Sequence, residues 1–550
     1  MWKKKGSAQS LEEYFLQNMN VNSLQDMNEV FKKHYAHSFG IDKLNEAVAF
    51  VMTFKDKKVK IVGDYDVDGT SGTSILLLAL RWKGFTDVSF RIPHRFSEGF
   101  GINETIVDEI DEGLVITVDN GIAQTEVIKK AKDKGLSVVI LDHHLPESAD
   151  GSISNPADYI IDPEAIPGSA TFDSYCGAGL AYKFAEILLD YDKTKLIKLL
   201  SLATIGTVAD VMPLRSENYV IVKNGIKAMK RADLCMPGLY AIISESNLAS
   251  HMTAHDIGFK IGPIINASSR MNDCGADTVV NILTYEGPYE NILSDVRNLI
   301  QVNETRKKLK TEILKIAYEK IETENLTDKI PLILYLDNIP EGLIGIVAGD
   351  LCNKYKLPAI VLSKTSDGTL IKGSARSCGN YNMKASLDKI SNLLSNYGGH
   401  VLAAGLSLPV DNLDKVCNAL WSEPFDFIND EDDTEQYDIE IPINKVADTI
   451  AELDKYEPFG EGNPYPIFKI SDFLSISKFG CVKKTMGSNS QHVKFFGKYC
   501  DAIGFNLAED FKYTNNLIKM DLFGTLSDNY YNGNVTHQIE FMAYENLKDA

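Results

Sequence analysis

Four apolar runs between residues 59 and 144 constrain the fold most: VKIVGD (59–64), VSFRIP (88–93), LVITVDNG (114–121) and LSVVILDHH (136–144). Helix-like stretches separate them, TSGTSILLLALRWKG (70–84) and AQTEVIKKAKDKG (123–135). Continuous apolar strands joined by helices call for a parallel sheet covered on both faces. In an open sheet of this kind the carboxyl ends of the strands face one crevice. The runs end in acid. Asp64 closes the first, with Asp66 and Asp68 just beyond it. Asp119 ends the third, and Asp142, His143 and His144 follow the fourth. Three strands therefore deliver carboxylates and imidazoles to one place, where like charges repel. Divalent cations are the simplest compensation, and Asp and His ligands without cysteine suit Mn²⁺ or Mg²⁺ better than Zn²⁺. A single Asp-x-Asp in a turn is ordinary; three acidic clusters at strand ends are not. Asp210, in TIGTVADVMPL (204–214), is a fourth candidate that alone would be unremarkable.

The rest of the chain divides by pattern. Residues 1–50 read as a helical segment, with Met27, Val30, Phe31 and Tyr35 on one face and a second helix over 41–52. The α/β catalytic part is expected over 51–285, with further helices at 176–189 and 195–209. Residues 286–326 read as one long connecting helix, because no Pro or Gly interrupts them after Pro288. A second, smaller α/β domain follows over 327–425, containing PLILYL (331–336), IGIVAGDLCNKY (344–355) and PAIVLSK (358–364). NDEDDTEQYD (429–438) is a polar acidic turn, and 438–550 reads as a β-rich barrel.

Composition narrows the classes. Among 550 residues, 44% are hydrophobic and 24% charged, which excludes a disordered, collagenous or coiled-coil rod. The net charge of −20 argues against a duplex-coating protein but leaves room for a local positive groove. The 8 cysteines are scattered and never form Cys-x-x-Cys, so neither a zinc site nor a disulfide framework is expected. The basic start MWKKKGSAQSLEEYF has no apolar stretch after it, and no run of about 18 apolar residues occurs, so a cytoplasmic protein with no membrane partner is expected.

GDYDVDG, DNG (119–121), LDHH (141–144) and VADVMPL (208–214) resemble, in order and spacing, the four motifs of the DHH phosphoesterase family. Within it the chain resembles the RecJ family of single-stranded-DNA exonucleases. FKIGPIINASSRM (259–271), GLIGIVAGDL (342–351), GSARS (373–377), NYGGHVLAAGLSL (396–408) and YEPFGEGNPYPIF (456–468) extend the likeness over nearly the whole chain from about residue 59. It implies a DHH catalytic domain, a DHHA1-like second domain and an OB-like nucleic-acid-binding barrel.

The resemblance also implies roles. Asp66 and Asp68 would each hold one of two Mn²⁺ or Mg²⁺ ions, Asp119 would bridge them, and His143 and Asp210 would complete the second site. Asp64 is an additional metal-ligand candidate, and Asp142 would orient a histidine. His144 would act near the first metal or the scissile phosphate. Ser374, Arg376 and His400, with Gly398 and Gly399 beside it, would hold the phosphate or terminal nucleotide, and Arg270 would contact the nucleic-acid backbone near the active site. The implied activity is hydrolysis of single-stranded DNA from the 5′ end to 5′-mononucleotides by two-metal activation of water, in DNA recombination and repair. A monomer is expected, with a helicase or single-strand-binding protein as the protein partner considered.

Three departures bear on rate and substrate preference. Pro340 stands where the family usually has a histidine, Ser269 where it has a glycine, and the segment before residue 59 is short. Arg306, Lys307, Lys308 and Lys310 on the long helix read either as a track for the strand or as a solvated face. Phe495, Phe496 and Phe541 read either as base-stacking residues or as core. His94 reads either as near the crevice or as surface, and His251 and His255 as structural. Two rival functions remain at this point: a DHH phosphoesterase acting on short oligonucleotides or small phosphorylated nucleotides, and a non-catalytic nucleic-acid-binding or scaffold protein.

Overall fold

The computed structural model describes residues 2–19, 21, 23, 25, 40–146, 152–365, 368–422, 425, 427–428, 435–487, 489–531 and 534–549. The helical face of Met27, Val30, Phe31 and Tyr35 lies outside them, as do residues 429–434 of the acidic turn. The chain forms two compact units: Ser38–Asp210 with Asn224–Asp432, and Met1–His37 with Val211–Lys223 and Asp433–Ala550.

In the first of these, β1 (Lys58–Val62), β2 (Asp87–Arg91), β3 (Leu114–Val118), β4 (Ser137–Leu141) and β5 (Tyr159–Ile161) form a parallel sheet of order β2-β1-β3-β4-β5. Every residue of β3 is buried, as expected of a strand covered on both faces. Helix α1 (Val67–Lys83) is buried from Val67 to Leu80 and so is apolar or small on all sides. Asp66 starts it, its side chain accepting from the amides of Asp68 and Gly69, and Gly84 ends it at φ 88°. Against it pack α2 (Gly177–Leu188) and α3 (Lys193–Ala209).

Three more helices join this sheet to a second one: α4 (Gly262–Met271), the long α5 (Leu293–Thr323) and α6 (Glu341–Tyr355). Val296, Leu299 and Asn303, then Ile313, Ala317 and Ile321, are the buried residues of α5, recurring at helical spacing. Through them α5 packs on α4 and on Pro237–Glu245, and farther along on α6, bridging two lobes as the uninterrupted sequence predicts. The second sheet has strands β6 (Leu332–Tyr335), β7 (Ala359–Lys364), β8 (Leu370–Arg376), β9 (Asn396–Gly399) and β10 (Ala403–Pro409), in the order β9-β10-β8-β7-β6. Only β6 and β7 pair in parallel.

The other unit is built on one seven-stranded sheet. Its strands are β11 (Ile439–Pro442), β12 (Phe468–Leu474), β13 (Lys483–Met486), β14 (His492–Phe495), β15 (Asp501–Gly504), β16 (Ile518–Tyr531) and β17 (Asn534–Asp549), ordered β11-β12-β16-β17-β15-β14-β13. Phe468, Phe473, Phe495, Phe511 and Phe541 fill its core. Of the stacking candidates, Phe495 is fully buried, Phe541 2% exposed and Phe496 7% exposed, so all three are interior; strand alternation turns Phe495 inward together with Val493. The N-terminal residues contribute here rather than forming one segment with residues 38–50. Lys3–Lys4 pairs with Gln436–Tyr437, and helix Leu11–Met19 inserts Phe15 among the barrel phenylalanines and Tyr456. Helix Leu44–Met52 belongs to the first unit.

Candidate active site

The acidic motifs converge. Ligand atoms of Asp64, Asp66 and Asp119 lie within 4.8 Å of one another, as do those of Asp68, His143 and Asp210, and those of Asp119, His143 and His144. Asp119 and His143 each belong to two groups, so six of the predicted metal residues and His144 form one continuous cluster. His143 Nε2 lies 3.1 Å from Asp119, 3.7 Å from Asp210 and 3.8 Å from Asp68.

Backbone geometry enforces this crowding. Asp119 leaves β3 at φ 63°, a left-handed conformation that costs a non-glycine residue energy and is typically kept where function requires it. Gly177 then lets the start of α2 approach: a Cβ there would sit 2.6 Å from the Asp119 Cβ. The amides of Gly177 and Ala178, at the helix N-terminus, donate to both oxygens of Asp68 at 2.6 and 2.9 Å. Asp142 accepts from the amides of Ile122, His143 and His144 and from His144 Nδ1 at 2.8 Å. It therefore orients a histidine, with no oxygen left over.

The electrostatics separate these acids. Burial, then the neighbouring Asp66, raises Asp64 well above the ordinary carboxylate range; burial, then Asp68, does the same to Asp119. Burial with Asp68 and Asp66 pushes Asp210 up to about 8. Burial alone would raise Asp142, but its hydrogen bond from His144 brings it below the ordinary range. Burial alone would lower His144, but that bond and the surrounding carboxylates push it up to about 9. Burial lowers His143. A buried Asp64 Oδ1 has no hydrogen-bond partner among the described residues. An oxygen-rich, proton-retaining cluster with an unsatisfied buried oxygen fits hard divalent cations.

Beside the cluster is a cavity of ≈ 520 Å³. Four cations line it, Arg95, Arg270, Lys372 and Arg376, against one carboxylate, Glu341. Arg95 stacks 4.4 Å over the ring of Tyr65, the residue between Asp64 and Asp66. Arg270 Nη1 donates to the Gly342 carbonyl at 3.3 Å, and Arg376 Nη1 to Ser374 Oγ at 3.1 Å. Lys372 Nζ bonds Glu341 and the Phe96 carbonyl. Burial, then Arg95 and Arg306, pushes Arg270 down to about 10. Such a cavity suits a phosphate.

Of the predicted substrate residues, Arg270, Ser374, Arg376 and Gly398 line the cavity. Gly399 and His400 do not. Gly399 ends β9 and His400 begins the turn to β10, where the His400 amide donates to the Ala403 carbonyl and its side chain is exposed. Sequence reasoning missed Tyr65, Arg95 and Lys372. Lys372 was within reach, because strand alternation puts residues 372, 374 and 376 on one face. His94, beside Arg95, meets Cys274 Sγ at 3.4 Å. Lys307 and Lys310 pair with Glu304 and Asp350.

Comparison with known proteins agrees with this architecture. The DHH family N-terminal domain matches residues 58–207, the DHHA1 domain 331–423 and the RecJ OB domain 437–543. The single-stranded-DNA-specific exonuclease RecJ of Haemophilus influenzae is 31% identical over 487 residues, covering 82% of this chain and 81% of that one. The chain belongs to the RecJ family. RecJ of Bacillus subtilis is 32% identical over 481 residues, 85% of this chain, but the match spans only 58% of that longer protein. In fold, the crystal structure of RecJ in complex with Mn²⁺ from Thermus thermophilus superposes with a TM-score of 0.76 at 23% identity, covering 97% of this chain and 75% of that one. No helix among the described residues is long and apolar enough to cross a membrane.

Proposed function

We propose that this chain is a metal-dependent exonuclease that hydrolyses single-stranded DNA from the 5′ end and releases 5′-mononucleotides. The observation that carries the reading is the juxtaposition of a carboxylate–histidine cluster with a cavity bearing four cations. The RecJ relatives named above are single-stranded-DNA-specific exonucleases, which agrees with it. In this reading Asp64, Asp66 and Asp119 would hold one Mn²⁺ or Mg²⁺ ion, and Asp68, His143 and Asp210 would hold a second, with Asp119 the candidate to serve both. Bound there, the two cations supply Lewis-acid charge that activates water and stabilises the phosphate. Asp142 holds the Nδ1 side of His144, leaving Nε2–H to donate to a nonbridging phosphate oxygen. Arg270, Ser374 and Arg376, with Arg95 and Lys372, bind and orient the terminal phosphate. The division into catalytic (51–285), connecting (286–326), substrate-holding (327–425) and oligonucleotide-binding (438–550) parts belongs to the same proposal.

The test uses 5′-labelled and 3′-labelled single strands, matched duplexes and very short oligonucleotides, with and without Mn²⁺ or Mg²⁺, beside Asp119→Ala. Metal-dependent mononucleotide release from the 5′ end of long single strands, lost in the variant, is expected. Cleavage confined to short oligonucleotides would replace this reading with a small-substrate phosphoesterase. DNA binding without hydrolysis would replace it with a binding protein.

A further inference from the structure

One face of α6 runs along the strand that carries Ser374 and Arg376. At Gly345 the two are close enough that a Cβ would sit 3.0 Å from Ser374 Oγ and 3.4 Å from Arg376 Nη2. Seven residues on, two helical turns later, the same face presents Cys352. Two residues beyond Arg376, continuing the strand direction, comes Cys378. Seven helical residues rise about 10 Å, and three extended residues span about the same distance. The register that seats Gly345 over residues 374 and 376 therefore brings Cys352 toward Cys378, and both thiols belong to one apolar cluster, Cys352 inside it and Cys378 packed against it. Cys352 is 5% exposed and Cys378 half-buried. Arg376, two residues before Cys378, lines the anion cavity, so the thiol pair and the cavity meet at one strand end.

We infer that Cys352 and Cys378 are a redox site that forms a reversible disulfide and, through Arg376, weakens anion binding in the neighbouring cavity. The second half rests on reading that cavity as a phosphate site. The oxidant class is a low-molecular-weight disulfide. Burial and Cys378 push the Cys352 thiol up to about 12, which leaves the more accessible Cys378 to react first. Cys378 loses its proton to solvent and its sulfur attacks the disulfide. A mixed disulfide forms and one small thiolate leaves. Cys352 then gives its proton to that thiolate and attacks the Cys378 sulfur, expelling the second small thiolate, which takes up a proton. Two protein thiols are oxidised by two electrons, and one disulfide is reduced to two thiols. The new bond holds the sulfurs about 2 Å apart, closer than two unbonded thiols can sit. It draws residues 376–378 toward α6, and Arg376 with them.

The full chain is incubated with oxidised glutathione and digested without reductant. Affinity for a 5′-phosphorylated single-stranded oligonucleotide is measured in EDTA to prevent hydrolysis. A linked Cys352–Cys378 peptide pair is expected, two hydrogens lighter than the reduced peptides. Affinity should fall about tenfold, the worth of one charge-assisted hydrogen bond, and recover with dithiothreitol. Cys378→Ser and, separately, Cys352→Ala should bind like the reduced protein and not respond to the oxidant. Modification of the exposed Cys274 and Cys481 without the linked pair overturns the inference. So does a linked pair with unchanged affinity, or a loss of affinity that persists in Cys378→Ser. If the reduced protein fails to bind the oligonucleotide, the phosphate reading of the cavity fails, while peptide mapping still decides the disulfide.

Discussion

The carboxylate cluster and the cation cavity lie side by side in one unit, yet they are assembled by opposite means. The acids are short side chains fixed by backbone: strand ends, the N-terminus of α2 and the left-handed turn at Asp119. The cations are long side chains gathered from the loop after β2, from α4 and from β8, each held by a carbonyl, a ring or a neighbouring side chain. The acidic half has little freedom to relax, and its excess charge appears as carboxyls that hold their protons above the ordinary range. The basic half can adjust to what it binds. Damage to the first should therefore abolish chemistry, and damage to the second should weaken binding.

The largest effect belongs to Asp119, the carboxylate shared by two ligand groups. Asp119→Ala should lower kcat by about 10³-fold or more, several kcal/mol of charge stabilisation. It should also remove most of the rise in melting temperature that Mn²⁺ gives the wild-type chain, a readout independent of turnover. Retained activity would break the contrast between rigid acids and adaptable cations. Gly177→Ala is the subtler blow to the same half. Its methyl group would overlap Asp119, so kcat should fall about 10²-fold through misplacement alone. Circular dichroism should remain that of the wild type.

In the cavity, Arg376→Ala should raise KM or Kd for a 5′-phosphorylated strand by about 10- to 100-fold, the range for a hydrogen bond to a charged group, with a smaller change in kcat. Arg376→Lys should recover only part, because an ammonium cannot reproduce the planar fork. An equal fall in kcat and kcat/KM would instead place Arg376 with the catalytic acids.

The two halves also differed in how well the sequence exposed them. Carboxylates at strand ends are legible because the apolar run, its end and the acid adjoin in sequence. That alone led to Asp64, Asp66, Asp68, Asp119 and the histidines after β4. Asp210 needed the family motif, since it caps α3 rather than a strand. Arg95 and Tyr65 join Arg270 across some 200 residues, and no periodicity links them. The two α/β lobes and the bridging helix followed from continuous local patterns. The docking of helix Leu11–Met19 in the C-terminal unit did not, because Phe15 meets Tyr456 more than 400 residues away.

Asp162, just past β5, sharpens the contrast as a buried acid outside the ligand groups. Its Oδ1 accepts from the Ala165 amide, while Oδ2 has no partner among the described residues. Burial pushes it up to about 8 from 3.8. A carboxyl whose folded value is raised keeps its proton where the unfolded chain has lost it, so stability falls as pH climbs between these values. Asp162→Asn keeps the amide bond and removes the titration. It should stabilise the fold by about 1–3 kcal/mol near pH 8, with the gain shrinking toward pH 4. A pH-independent change in urea midpoint would refute this.

The smallest effect is expected on α5, where Lys307 pairs with Glu304 at 2.8 Å and both side chains are about half exposed. An exposed pair of this kind contributes about 0.2–1 kcal/mol. If the helix were a track for the strand, Lys307→Ala would release fewer counterions on binding, and the slope of log K against log salt would drop by about 0.7. If the binding charge resides in the cavity, Lys307→Ala leaves that slope unchanged and Lys372→Ala lowers it by about that amount. Lys372 is the stricter probe, because it faces the cavity from the strand face that also carries Ser374 and Arg376. An unchanged slope in Lys372→Ala with a reduced one in Lys307→Ala would move the strand's path from the cavity to the helix.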